Sequence, residues 1–203
     1  MRKFVSSLLF AVCMFFVHTA CAADTPVSIL DKAAAKFKSA GGVNVGFTLT
    51  ADGVSSTGSI RMLGSKFRAS ADGVTVWFDG KTMWTYVKQN EEVNVTAPSA
   101  SEVARMNPYA LLSIYKSGYK AAMGKSAKDY HEVVLTRQQA DKPFKKIVVR
   151  VNRQNMQLMY VYMETDKAST TISITSFKNE KLGDSTFVFN KKNYPGVDVI
   201  DLR

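Results

Sequence analysis

Three Asp-Gly pairs, Asp52-Gly53, Asp72-Gly73 and Asp79-Gly80, punctuate a run of short segments that alternate apolar and polar residues. Asp-Gly between alternating segments is the strongest short-range hairpin signal, because both residues tolerate the positive φ of a tight turn. Val43, Val45, Phe47, Leu49 and Ala51 alternate with Asn44, Gly46, Thr48 and Thr50. That period of two predicts a half-buried strand. The same pattern predicts strands near Ser56–Met62, Lys66–Ala71, Val74–Phe78, Thr82–Lys88, Glu92–Thr96, Tyr119–Met123, Asp129–Arg137, Phe144–Asn152, Met156–Glu164, Thr170–Phe177 and Thr186–Phe189. An extended tail runs from Tyr194 to Arg203. Neighbours joined by hairpins form an antiparallel meander, and a twisted sheet of about ten or eleven strands curls on itself. The expected fold is mainly β: an incomplete antiparallel β-barrel with a concave face.

Helical signals are few. Thr25 can cap a first helix with Pro26 at its first position, Leu30, Ala33, Ala34 and Phe37 at helical spacing, and Gly41-Gly42 as its stop. Ser99 and Glu102 form a capping box for a short helix to about Met106. A second helix is predicted from Pro108 to Lys116, stopped by Gly118, and it is apolar nearly all round. These helices are too small to be a second layer, so they are expected to plug or cover the concavity.

The N-terminus has its own logic. Arg2 and Lys3 precede an apolar run from Phe4 to Val17, and Ala20-Cys21-Ala22 fits the small-x-small cleavage pattern. Residues 1–23 read as a secretory signal peptide, leaving one domain over 24–203. The rival reading makes Cys21 a lipidated first residue, against which His18 stands where an aliphatic residue is usual. Cleavage would remove Cys13 and Cys21, so no disulfide or cysteine zinc site is expected. It would also remove two cations, taking the formal charge from +10 to +8. Nucleic acid is not an expected partner of an exported chain; anionic lipid or an acidic partner is compatible with the charge.

The hairpin around Asp79-Gly80 has two apolar faces. A two-residue loop there puts Val76, Phe78, Met83 and Val87 on one side and Trp77, Trp84 and Tyr86, with Thr75 and Thr82, on the other. Most antiparallel hairpins have one wet face. The first face is expected to line a cavity and the second to form a partly covered outer wall. In Met156–Glu164, Leu158 and Tyr160 are likewise expected on one side, and Met159, Val161 and Met163 on the other.

Catalytic chemistry has little to stand on. Beyond the signal segment the one imidazole is His131, in an alternating strand. No nucleophile-elbow, zincin, Walker or dinucleotide motif occurs. Asp198 and Asp201 are the nearest thing to a carboxylate pair, and the alternation around them reads as a polar edge. No enzyme activity, metal or cofactor is expected. By contrast, Met62, Met83, Met106, Met123, Met156, Met159 and Met163 supply flexible, polarizable side chains. Such residues suit a surface that accepts apolar ligands of varied shape, though ordinary core filling uses them too.

Several stretches together resemble the periplasmic outer-membrane lipoprotein carriers, the LolA-like family. They are the amphipathic first helix leading into Val45-Gly46-Phe47-Thr48, the central Phe78-Asp79-Gly80-Lys81-Thr82-Met83-Trp84-Thr85-Tyr86, and Asn107-Pro108-Tyr109-Ala110-Leu111-Leu112. The close also fits, with Phe187-Val188-Phe189 and Tyr194-Pro195-Gly196-Val197-Asp198-Val199-Ile200-Asp201. The resemblance implies a periplasmic carrier, expected as a monomer, that shelters lipoprotein acyl chains between the two membranes. It also implies an ATP-driven inner-membrane complex that releases the cargo and an outer-membrane acceptor. The alternative is a lipid- or lipoprotein-sensing or receptor module on the same fold. By position Phe37 and Phe67 match cavity-facing sites, and Tyr109, Leu111 and Leu112 match a lid. The full expected lining is Phe37, Val45, Phe47, Leu49, Ile60, Met62, Phe67, Val76, Phe78 and Met83, with Tyr109, Leu111, Leu112 and Tyr115 in the lid. One departure is plain: the loop Met62-Leu63-Gly64-Ser65-Lys66 lacks the Arg-Pro that ties the lid to the sheet in many members.

Overall fold

A computed structural model describes residues 24–99, 102–103 and 114–203. Helix α1 spans Pro26–Ser39. Its start is a reciprocal capping box: Thr25 Oγ1 accepts from the Ser28 amide at 3.1 Å, and Ser28 Oγ accepts from the Thr25 amide at 3.0 Å. Gly41, at φ +74°, turns the chain out of the helix.

The strands are β1 (Gly42–Ala51), β2 (Val54–Leu63), β3 (Lys66–Ala71), β4 (Val74–Phe78), β5 (Met83–Val87), β6 (Glu92–Thr96), β7 (Tyr119–Met123), β8 (Tyr130–Arg137), β9 (Lys146–Asn152), β10 (Leu158–Glu164), β11 (Ser169–Asn179) and β12 (Asp198–Asp201). They form one 12-stranded sheet in the order β12-β6-β5-β4-β3-β2-β1-β11-β10-β9-β8-β7. Two antiparallel meanders, β1 to β6 and β7 to β11, are sewn together where β1 pairs with β11. β12 returns to run parallel to β6. The sheet is not closed, which makes it the incomplete barrel expected from the alternation. Twelve strands stand against the ten or eleven expected for the sheet, and they match the number of alternating segments because the tail supplies β12 while Thr186–Phe189 supplies none.

Identical dipeptides make different turns. Asp52-Gly53 and Asp72-Gly73 both have positive φ at both positions, which is the type I′ geometry of a two-residue hairpin. At Asp79-Gly80 only the glycine does, at +104°. There the Asp79 carboxylate accepts from the Lys81 and Thr82 amides at 2.8 and 2.7 Å, and the loop widens to four residues. Phe78 therefore faces Met83 and Trp77 faces Trp84. The faces keep their expected members except Thr82, which belongs to the loop, and the register moves by two residues.

Three other expectations are corrected. Met156 is not in a strand: it sits at φ +56° with its amide bonded to the Asn152 carbonyl, and β10 begins at Leu158. A register shift between Leu158 and Tyr160 then turns Leu158 to the same side as Val161 and Met163. Tyr160 points outward onto the Arg150 guanidinium at 4.7 Å. Residues expected as a strand at Thr186–Phe189 instead begin in a 3₁₀ turn, Asp184–Phe187, because Thr186 bonds back to Gly183 and Phe187 alone is driven inward.

The concave face holds the main core. On β8 and β9 it carries Val133, Leu135, Ile147, Val149 and Val151, and α1 lies over these strands with Ile29, Leu30 and Ala33 buried. The helix thus fills one end of the concavity. Of the predicted second helix, Ile114 is helical and 115–118 is a turn, so it ends before Lys116. Its earlier part, including the expected lid residues Tyr109, Leu111 and Leu112, lies outside the described residues.

Candidate functional site

At the end that α1 does not fill, the inner face surrounds a hollow of about 470 Å³. Its walls are Val45, Phe47 and Leu49 of β1, Ile60 of β2, Phe67 and Ala69 of β3, Val76 of β4, Met163 of β10 and Ile172 and Ile174 of β11, with Phe144 beside them. Thr170 is the single polar wall residue among the described residues. Period-two alternation explains the composition: alternate residues of neighbouring strands point into one space. The hollow is concave, apolar and in the size range of ligand sites.

Six of the expected lining residues meet there: Val45, Phe47, Leu49, Ile60, Phe67 and Val76. Met62, Phe78 and Met83 lie on the same inner face but are packed into the core, with Phe78 against Phe67 at 5.5 Å between ring centres. Phe37 is half-buried on α1 and packs against the same core. The remaining walls lie outside the expected set. Ile172 and Ile174 are legible in the alternation of β11. Phe144 is expected inside a strand and sits instead in the loop before β9, where no periodicity marks it.

Tyr115 donates to Asp31 Oδ1 of α1 at 2.7 Å, and Lys116 Nζ stands 3.4 Å from the same oxygen. These bonds hold the Asp31 carboxyl below the usual carboxylate range. Burial, then the Asp31 acceptor, pushes the Tyr115 phenol up to about 12. The arginines near the departed Arg-Pro position have other work on the outer face. Arg61 donates to both Glu180 oxygens at 3.2 Å, and Arg68 lies over the Trp77 ring at 5.3 Å.

The outer wall of the two-faced hairpin is covered more fully than expected. Trp77 is 4% exposed, enclosed by Phe189 and Tyr194 from the C-terminal segment. With Tyr86, Val93, Val95 and Val197 they make a second, smaller core outside the sheet.

His131 is buried beneath the start of α1, its Nε2 3.5 Å from Asp24 Oδ2. Its Nδ1 has no hydrogen-bond partner among the described residues. Desolvation, reinforced by Arg153, pulls its pKa down. Asp198 and Asp201 are three residues apart on a strand, so they point to opposite faces, and Asp201 is bonded to Arg203. These groups form no catalytic set. Among the described residues no cluster of His, Cys, Asp and Glu could hold a metal ion.

The sequence profile of a family described as outer membrane lipoprotein carrier protein LolA matches residues 16–167. Among solved structures, an uncharacterized conserved protein from Thermus thermophilus is similar over 85% of this chain and 96% of its own, with a TM-score of 0.58 at 11% identity. LprF from Mycobacterium bovis is similar over 78% of this chain and 94% of its own, with a TM-score of 0.48 at 12% identity. A putative outer membrane lipoprotein-sorting protein domain from Vibrio parahaemolyticus is similar over 83% and 97%, with a TM-score of 0.46 at 11% identity. At these identities the likeness concerns the fold alone, and the Thermus structure carries it. Curated proteins gave no match.

Proposed function

The chain belongs to the LolA family of outer membrane lipoprotein carriers, and we propose that its hollow holds a lipoprotein acyl chain in transit. The observation that carries this reading is the lining: among the described residues, eleven apolar side chains and one threonine surround about 470 Å³. A water occupies ~30 Å³ of liquid and a methylene is similar in size, so the space admits on the order of fifteen methylenes. That is one acyl tail. Burial contributes ~0.8 kcal/mol per methylene, so a tail of about sixteen carbons gains on the order of 10 kcal/mol without directed chemistry.

In this reading residues 1–23 export the chain to the periplasm and residues 24–203 act as a single, monomeric carrier domain. The carrier takes cargo from an ATP-driven inner-membrane complex and yields it to an outer-membrane acceptor, with no catalytic step. Phe37, Met62, Phe78 and Met83 support the floor and sides of the hollow rather than touching the tail. Tyr109, Leu111 and Leu112 act as the cover, and Tyr115, bonded to Asp31, anchors its end in place of the family arginine.

Native mass spectrometry of the protein exported from its own gene tests the proposal. A population carrying the mass of an acylated polypeptide is expected. Phospholipid alone, or the bare chain throughout, would contradict the cargo assignment. The same spectrum reads the leader, since lipidation at Cys21 adds a mass that cleavage after residue 22 or 23 does not.

A further inference from the structure

We propose that a second site, a cleft on the outer face of β3 and β4, docks an acidic peptide segment of a partner protein. The cleft encloses about 440 Å³ between the sheet and the C-terminal segment. Arg68, Trp77, Ser185, Thr186, Val188, Asn190, Asn193 and Tyr194 line it. It is distinct from the hollow because adjacent residues of one strand point oppositely: Phe67 in and Arg68 out, Val76 in and Trp77 out. The proposal therefore does not rest on the acyl-chain reading.

Arg68 carries the argument. It stands directly opposite Arg61 across β2 and β3, and like charges in that position repel. Glu180 neutralises Arg61, but Arg68 has no carboxylate partner among the described residues. Its guanidinium is held over the Trp77 ring, which leaves the planar fork of donors oriented and free to take a carboxylate in two parallel bonds. The rest of the lining agrees. Asparagine, serine and threonine side chains offer both donors and acceptors, as a peptide backbone requires, and Val188 and Tyr194 give an apolar wall. No acid among the described residues lines the cleft. Lys191 and Lys192 flank it, exposed and outside any ion pair among the described residues. The formal charge of +10, or +8 without Arg2 and Lys3 of the leader, favours encounter with an acidic partner.

The test uses the mature full-length protein and a short dye-labelled peptide of alternating glutamate and serine, with a lysine–serine peptide as control, read by fluorescence anisotropy. The acidic peptide is expected to bind and the basic one not. Arg68→Gln should weaken binding about tenfold or more, while Arg68→Lys keeps part of it. Asn193→Ala, at an exposed position that leaves the sheet alone, should weaken it by a smaller factor. Palmitate affinity should stay unchanged in all three, which separates this site from the hollow. The proposal is overturned if Arg68→Gln and Asn193→Ala bind like the parent, since the attraction would then be surface charge alone. Equal competition by free glucuronate would also overturn it, because a small acid would then satisfy the cleft without a peptide.

Discussion

Phe47→Asp tests the hollow most sharply, because the side chain is partly exposed on an apolar wall and so can be charged without unfolding the core. Phe47 lies opposite Gly58 on one side and Ile174 on the other. In the empty hollow an aspartate there is solvated, with a pKa of about 3.9. A tail entering the hollow removes that water. An isolated buried charge costs several kcal/mol, so the carboxylate takes up a proton instead. At pH 7 that protonation costs roughly 4 kcal/mol, and at pH 5 roughly 1.5. Phe47→Asn provides the reference, since it buries a polar group of similar shape but does not titrate. The account predicts that Asp binds palmitate about a thousandfold more weakly than Asn at pH 7, and that the gap narrows about a hundredfold at pH 5. Displacement of a fluorescent fatty acid measures both, and denaturant unfolding checks that the two empty variants are equally folded. Equal affinities for Asp and Asn at both pH values would refute the reasoning, because water would then still reach position 47 in the complex.

Three further variants test the packing. Asp31→Asn should lower stability by no more than about 1 kcal/mol at pH 7, because the bond is exposed. The folded Asp31 pKa is depressed, so this contribution is present above the unfolded value and vanishes as pH falls through the folded one; parent and variant should unfold alike in strong acid. In the same variant the Tyr115 titration, about 12 in the parent, should move only part of the way to 10.0, since burial is the larger cause. Gly58→Ala places a Cβ 2.6 Å from both the Phe47 ring and the Ser70 carbonyl oxygen, and thermal or denaturant unfolding should show a loss of about 1–3 kcal/mol. Arg150→Met removes the 2.8 Å partner of the buried Glu132, whose other oxygen still accepts from the Lys125 amide, and should cost about 1–3 kcal/mol, with part of that restored by adding Glu132→Gln.

The concave wall was legible wherever side chains alternate without interruption. Val45, Phe47 and Leu49 announce their shared face in the sequence, and β2 to β4 continue it. Legibility stopped where the backbone breaks its own period. The irregularity at Leu158 reverses a face, and nothing in the sequence marks it except the asparagine-rich turn before Met156. Phe144 contributes from a loop, where no pattern constrains direction. The parallel return of β12 depends on tertiary contacts of Tyr194 and Val197 with β4 to β6, which local sequence does not encode. Those contacts also alter an obvious control. By alternation alone Trp77 is a neutral outer position, but at 4% exposure beneath Phe189 and Tyr194 a charge there would unfold the outer core.

The most direct measurement is photocrosslinking of a diazirine-bearing palmitate to the mature protein, with the attached residues mapped by peptide mass spectrometry. The account predicts adducts on Phe47, Leu49, Phe144, Ile172 and Ile174, all competed away by unlabelled palmitate. Adducts confined instead to Val199, Ile200 and Leu202, the exposed apolar residues at the β12 edge, would contradict it.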